Sequence, residues 1–260
     1  MRLPIHQIDA FAGRVFAGNP AAVCPLDDWL PDHLMQAIAR ENNLSETAFL
    51  VRDGDDYAIR WFTPATEVRL CGHATLASAF VIMKDLEPGR DAVRFKTRTA
   101  GDLMVTREGD LYALDLPADP PSPAAAPDGL VTALGRAPEA VLAAAYLMTV
   151  YEDEAAVRAL DPDMAALATV HELGVIATAP GDAVDFVSRF FAPAMGIDED
   201  PVTGSAHAIL TPYWSARLGK DRLEARQVSA RGGELVCEDR GERVRVIGAA
   251  ARYMQGVIHV

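Results

Sequence analysis

The sequence predicts an α+β fold of two pseudo-symmetric lobes, each a curved β-sheet wrapped around one central α-helix. Three observations lead there. The segment Arg60-Trp61-Phe62-Thr63-Pro64 recurs 129 residues later as Arg189-Phe190-Phe191-Ala192-Pro193, in a chain of 260 residues. Pro31-Asp32 opens an apolar-periodic stretch 33 residues before Pro64, and Pro162-Asp163 opens another 31 residues before Pro193. Gly72-His73-Ala74 and Gly204-Ser205-Ala206 each start an apolar run with helical spacing. A duplicated unit of this length makes two facing lobes, and the cleft between them is the expected place for a small-molecule site.

Within the first copy, alternation or short apolar runs predict strands at residues 5–11, 21–24, 47–51, 57–63, 93–96, 103–107 and 111–116. A helix starts at Pro31, which suits a first turn because its missing N–H has no partner there anyway; Asp32 favours the dipole, and Leu34, Met35 and Ile38 share a face. A second helix, residues 73–84, is apolar nearly all round and must be buried. Five prolines between Leu116 and Gly129 then predict an extended linker without regular hydrogen bonding. It divides the chain into lobes of residues 1–118 and 119–260. In the second copy, strands are expected near 144–149, 174–179, 185–191, 227–230, 234–238 and 243–248, and helices at 162–170 and 205–217.

Composition narrows the function. With 24 Lys plus Arg against 37 Asp plus Glu, the net charge of −13 repels phosphate backbones and anionic lipid. Neither nucleic acid nor membrane is an expected partner. The first nine residues lack a signal-peptide core, and the longest apolar run, Ala140 to Val150, is too short to span a bilayer, so a cytoplasmic location is expected. Cys24, Cys71 and Cys237 are scattered, with no zinc-site spacing, and support neither a disulfide framework nor a structural metal. No GxGxxG after a strand, GxxxxGK[ST] or GxSxG occurs.

Both central helices open on glycine plus a small or polar residue. Unpaired N–H groups at a helix start, with the dipole behind them, make an anion site that glycine lets a carboxylate approach. Either site alone reads more simply as tight entry into a buried helix; the pair in equivalent places favours a shared carboxylate ligand. Taken alone, Glu46 reads more simply as a solvated loop glutamate. His73, Asp200 and Ser205 serve equally well as helix caps.

Glu46-Thr47-Ala48-Phe49, Phe62-Thr63-Pro64 with Glu67, Cys71-Gly72-His73-Ala74-Thr75 and Asp200-Pro201-Val202-Thr203-Gly204-Ser205-Ala206 together resemble the phenazine-biosynthesis PhzF-like isomerase family. Asp9-Ala10-Phe11 and Gly18-Asn19-Pro20-Ala21 fit the same family. The resemblance implies the diaminopimelate epimerase-like fold, an active site between the halves that needs no cofactor, and a homodimer. It also implies that the last strand crosses back to the first lobe.

Residue by residue, Glu46 matches the family's catalytic carboxylate, His73 a position that holds and polarises substrate, and Asp200 and Ser205 its second-half polar groups. Gly72, Gly204, Cys71 and Asn19 join them as substrate-binding positions. Racemases of this fold use two thiols on opposite faces of a carbon. Leu70-Cys71-Gly72-His73 resembles the first thiol motif, whereas Pro201-Val202 stand where the second belongs. Glu46 has no counterpart near Val175 and Ile176. The expected activity is isomerisation of a small carboxylate by a single glutamate acid/base, with neither metal nor organic cofactor. An amino-acid racemase using Cys71 and a non-catalytic carboxylate binder are the rivals.

Overall fold

Contacts in the computed structural model, which describes residues 1–260, divide the chain into two units, Met1–Asp115 with Ile247–Val260, and Leu116–Val246. The division falls a few residues before the 118/119 boundary drawn from the proline run. The first unit contains β1 (Arg2–Ala10), β2 (Asn19–Leu26), α1 (Asp32–Asn42), β3 (Glu46–Asp53), β4 (Asp56–Phe62), β5 (Glu67–Val68), α2 (Gly72–Val81), β6 (Ala92–Lys96), β7 (Asp102–Glu108) and β8 (Leu111–Pro117). The second contains β9 (Ser122–Pro123), α3 (Leu130–Leu134), β10 (Ala140–Ala143), β11 (Leu147–Val150), α4 (Glu154–Arg158), α5 (Met164–Leu167), β12 (Val175–Pro180), β13 (Phe186–Ala192), β14 (Ile197–Asp200), α6 (Gly204–Leu218), β15 (Arg222–Gln227), β16 (Gly233–Asp239) and β17 (Arg243–Gly248). The last strand, β18 (Ala250–His259), returns to the first unit, where it runs antiparallel to β1 from Arg2↔His259 to Ala10↔Ala250.

Strand pairing repeats between the units. In the first, β1–β2 is antiparallel, β2–β3 parallel, β3–β4 antiparallel, β4–β6 parallel and β6–β7 antiparallel. In the second, β10–β11, β11–β12, β12–β13, β13–β15 and β15–β16 follow the same alternation. The echoed pentapeptide is copied down to its side chains. Arg60 donates twice to Glu67, at 2.8 and 2.7 Å, and lies 5.1 Å from the Phe62 ring centroid. Arg189 donates twice to Glu199, at 2.7 and 2.9 Å, and lies 4.8 Å from the Phe191 ring.

Both central helices are largely buried, and several of their hydroxyls bond back onto the helix. Every residue of α2 is buried; Thr75 and Ser78 turn their hydroxyls back onto the carbonyls of Cys71 and Ala74, each at 2.6 Å. A single π-helical turn, Ile82–Leu86, ends this segment where regular helix was expected to 84. In α6, Pro212 removes the N–H that would bond Ala208. The N–H of Asp119 supplies the missing donor at 3.1 Å. The proline-rich linker is therefore a bonded strap rather than a free connection. Ala118 N–H also bonds the Glu242 carbonyl at 2.9 Å, and Ser122–Pro123 pairs with Leu142 and Ala143.

Other expectations shift in the second unit. The strand expected over 144–149 is a hairpin, β10 and β11, turning at residues 144–146 inside an unbroken apolar run. The helix expected over 162–170 shrinks to Met164–Leu167, capped by Asp163, whose carboxylate accepts from Ala166 N–H at 3.0 Å. The strand expected at 227–230 ends at Gln227, because β15 begins at Arg222.

Candidate active site

Four of the expected site residues meet in the first unit. Gly18 has φ +67°, and a Cβ there would lie 2.1 Å from the Ala10 carbonyl oxygen, so only glycine lets the chain turn into Asn19 at the head of β2. β2 pairs in parallel with β3 through Ala21↔Glu46, which sets Glu46 at the start of β3 beside Asn19. Cys71 is the N-cap of α2 and His73 lies in its first turn.

Asn19 is fully buried, and its amide Nδ2 donates to His73 Nδ1 at 3.0 Å. An Nδ1 that accepts leaves the imidazole proton on Nε2. That nitrogen lies 3.2 Å from Glu46 Oε2, close enough for an ion-pair contact but off hydrogen-bond alignment. The Cys71 thiol sits 3.5 Å from His73 Nδ1 and 3.9 Å from Nε2. The Glu46 side chain is 12% exposed and that of His73 4%. Glu46 thus begins a strand and is largely desolvated, not a loop glutamate in water. Asn19, expected among the substrate-binding positions, has no exposed surface and contacts His73.

A second cluster forms within the other unit. Asp200 is 8% exposed and accepts from the Thr203 hydroxyl. Gln227 ties the turn together. Its amide donates to the Asp200 carbonyl at 2.7 Å and to Thr203 Oγ1 at 3.2 Å, and its Oε1 accepts from Thr203 N–H at 2.9 Å. Ser205 Oγ lies 2.9 Å from the Tyr146 hydroxyl, and the Tyr146 ring packs edge-on against Phe190. Gln227 and Tyr146 were not expected. Both come from strands or turns distant in sequence, and no local motif marks them.

The residues at the N-cap positions of the two long helices are Cys71 and Thr203. Neither N-cap residue makes a side-chain capping bond, whereas Asp153 and Asp163 cap the short α4 and α5. Neither long helix has an acidic residue in its own first turn.

The repeat also locates what is not duplicated. Val175, 1% exposed, opens β12 where Glu46 opens β3, and Thr203 is the N-cap of α6 where Cys71 caps α2. The second-half counterpart of the thiol is therefore Thr203, rather than the Pro201-Val202 pair. His207, one turn into α6, is fully buried; Nδ1 bonds the Thr203 carbonyl at 2.8 Å, and burial drives its pKa down to about 4, so the ring is neutral.

The family model for phenazine biosynthesis-like proteins, PhzC-PhzF, matches residues 8–256. An uncharacterized isomerase of Pseudomonas aeruginosa is 55% identical over 260 residues, covering all of both chains. A solved PhzF-family phenazine biosynthesis protein from Enterococcus faecalis superposes with a TM-score of 0.96 at 46% identity over all of both chains. A probable proline racemase from Agrobacterium radiobacter shares the fold alone, with a TM-score of 0.64 at 12% identity over 99% of this chain and 92% of its own. The chain therefore belongs to the PhzF-like family of isomerases, built on the diaminopimelate epimerase-like fold.

Proposed function

We propose that the protein is a cofactor-independent isomerase of a small carboxylate-bearing substrate, in which Glu46 removes a proton next to an activated carbon and returns it elsewhere on the same face. The observation that carries this is the Glu46 carboxylate, largely desolvated, with one oxygen lacking an aligned donor and the His73 Nε2 3.2 Å away. A base in that state gains when a proton arrives, and contacts that are loose without substrate tighten around it. His73 polarises the substrate, and Asn19 fixes its tautomer. Asp200 bonds a hydroxyl or amine, and the N–H groups at Gly72, Gly204 and Ser205 hold the carboxylate and offset developing charge.

Geometry weighs against pairing Cys71 with Glu46 as opposed racemase bases. Two bases flanking a carbon each need about 3–3.5 Å to it, so their atoms stand roughly 6–7 Å apart. The donor atoms of Glu46, Cys71 and His73 all lie within 4.8 Å of one another. Incubating the protein with cyclic and linear amino and hydroxy acids in deuterated water, followed by NMR, tests the proposal. An isomerase moves or exchanges a C–H proton of one of them. A pure carboxylate binder retains the ligand with every C–H intact.

The same proposal includes a homodimer. Phe16, Tyr253, Met254 and Val257 are exposed around β18, with the Phe16 and Tyr253 rings in edge contact. An apolar face of this kind favours association. A light-scattering mass near the chain's 27.9 kDa counts against it.

A further inference from the structure

The repeat leaves one gap open in the first unit that is laced shut in the second. On the edge away from β3, β4 pairs with β6 only at Tyr57↔Phe95 and Ala58↔Lys96, and with β5 only at Trp61↔Val68 and Phe62↔Glu67. The matching stretch of β13 lies between β15, whose pairing ends at Ser188↔Gln227, and β14, joined at Phe190↔Asp200. There the chain beyond β15 closes the gap. Val228 N–H bonds the Ser188 carbonyl at 2.8 Å, Gln227 Nε2 donates to the Asp200 carbonyl at 2.7 Å, and Ser229 Oγ donates to the Pro201 carbonyl at 2.9 Å. In the first unit the chain beyond β6 folds into a tight turn instead, with the Thr97 hydroxyl accepting from Ala100 N–H and donating to the Gly101 carbonyl, both at 2.8 Å. A groove of about 220 Å³ remains.

Ile59, Trp61 and Val68 form its apolar walls, and Arg69, Arg98 and Thr99 its polar side; none of them belongs to the Glu46, Cys71 and His73 cluster. Arg69 stands where the second copy has Pro201, and it is exposed with no ion-pair partner. Arg98 Nη1 donates to Glu67 Oε2 at 3.0 Å. Glu67 also takes two hydrogen bonds from Arg60, which hold its carboxyl below the usual range, so it stays paired when an incoming anion draws Arg98 away. Trp61 is 1% exposed and its Nε1–H has no acceptor; a buried donor of that kind calls for an oxygen.

We propose that this groove is a second binding site, for a small monocarboxylate with a compact apolar body. Arg69 and Arg98 hold the carboxylate, and the body lies against Ile59, Trp61 and Val68. The planar fork of a guanidinium matches a carboxylate in geometry as well as charge. Pockets for drug-sized ligands run to roughly 300–1,000 Å³, so a groove of this size takes about one ring with its acid group. Inorganic phosphate leaves the apolar walls uncovered, and a second acid group on the ligand meets the Glu67 carboxylate. The site stands apart from the isomerase assignment, because no step of the proton transfer enters the argument for it.

Titration of the whole protein with benzoate, followed by proton–nitrogen NMR of an isotope-labelled sample, tests the site. The chain has three tryptophans, and the Trp61 indole signal is the one missing from Trp61→Phe. The expected result is a saturable shift of that signal and of the backbone N–H groups of Val68, Arg69, Arg98 and Thr99, with a Kd on the order of 1 mM for so small a ligand. Affinity is expected to fall about five- to tenfold in Arg69→Gln, and by as much when neutral benzamide replaces benzoate. Far-UV circular dichroism verifies that each variant is folded. Shifts that grow without saturating overturn the proposal, as does unchanged affinity in folded Arg69→Gln or benzamide binding as tightly as benzoate. Shifts confined to the starts of α2 and α6 and indifferent to Arg69→Gln also overturn it, while favouring the carboxylate site assigned to the isomerase. None of these readouts depends on turnover, so their failure is distinct from failure of that assignment.

Discussion

Replacing Arg189 by methionine tests whether the repeated arginine clamp holds each copy together. Arg189 gives two hydrogen bonds to Glu199 and a third, at 2.7 Å, to the Leu160 carbonyl beyond α4. Its side chain is 14% exposed and that of Glu199 20%. Breaking a buried ion pair from one side costs about 3–5 kcal/mol, and the residual exposure of Glu199 sets the expected loss at the lower end, about 3 kcal/mol. At about 2–4 °C per kcal/mol for a chain of this size, the melting temperature falls by about 6–12 °C. Removing the stranded charge as well, in Arg189→Met with Glu199→Gln, recovers about 1–2 kcal/mol, a coupling readable by urea melts. A double variant no more stable than the single one refutes the clamp as an energetic unit.

Gly18→Ala places a Cβ 2.1 Å from a backbone oxygen at φ +67° and costs at least about 2 kcal/mol, whereas Gly54→Ala, at a similar φ with open space around it, costs about 1 kcal/mol; thermal melts of the two variants check the difference. His207 gives the stability curve a pH dependence. Its folded pKa near 4 lies below the ordinary histidine value of 6.5, so the unfolded chain binds the extra proton, and stability falls as pH drops from about 6.5 to 4, by on the order of 3 kcal/mol. Urea melts at pH 7 and 4.5 lose that share of the difference in His207→Gln. His73→Ala and Asp200→Ala weaken ligand binding as well as rate, since each is assigned to hold substrate, and calorimetry with a turnover substrate reads both.

The lobes were legible because duplication leaves the same apolar spacing twice, and the buried helices because α2 and α6 carry almost no charge. The first-unit site was legible in part. Glu46, Cys71 and His73 sit in short motifs, but their mutual distances arise from the parallel β2–β3 pairing, which no local pattern encodes. Gln227 and Tyr146 were invisible for the same reason. The 140–150 run misled because apolar residues continue through the hairpin turn at 144–146, and the linker misled because the residues between its prolines, such as Ala118 and Asp119, still donate hydrogen bonds. Pro212 could have signalled the strap, since a proline inside a buried helix leaves a carbonyl that something must satisfy.

The central claim is that one carboxylate both removes and returns the proton. Deuterium exchange into a turnover substrate, compared between wild type, Glu46→Gln and Cys71→Ser, tests it most directly. The amide keeps the shape of the side chain but cannot accept a proton, so Glu46→Gln is expected to abolish exchange while leaving ligand affinity within about tenfold. Cys71→Ser is expected to keep exchange within about tenfold of wild type. Exchange that survives in Glu46→Gln, or that is lost equally in Cys71→Ser, contradicts the single-glutamate account.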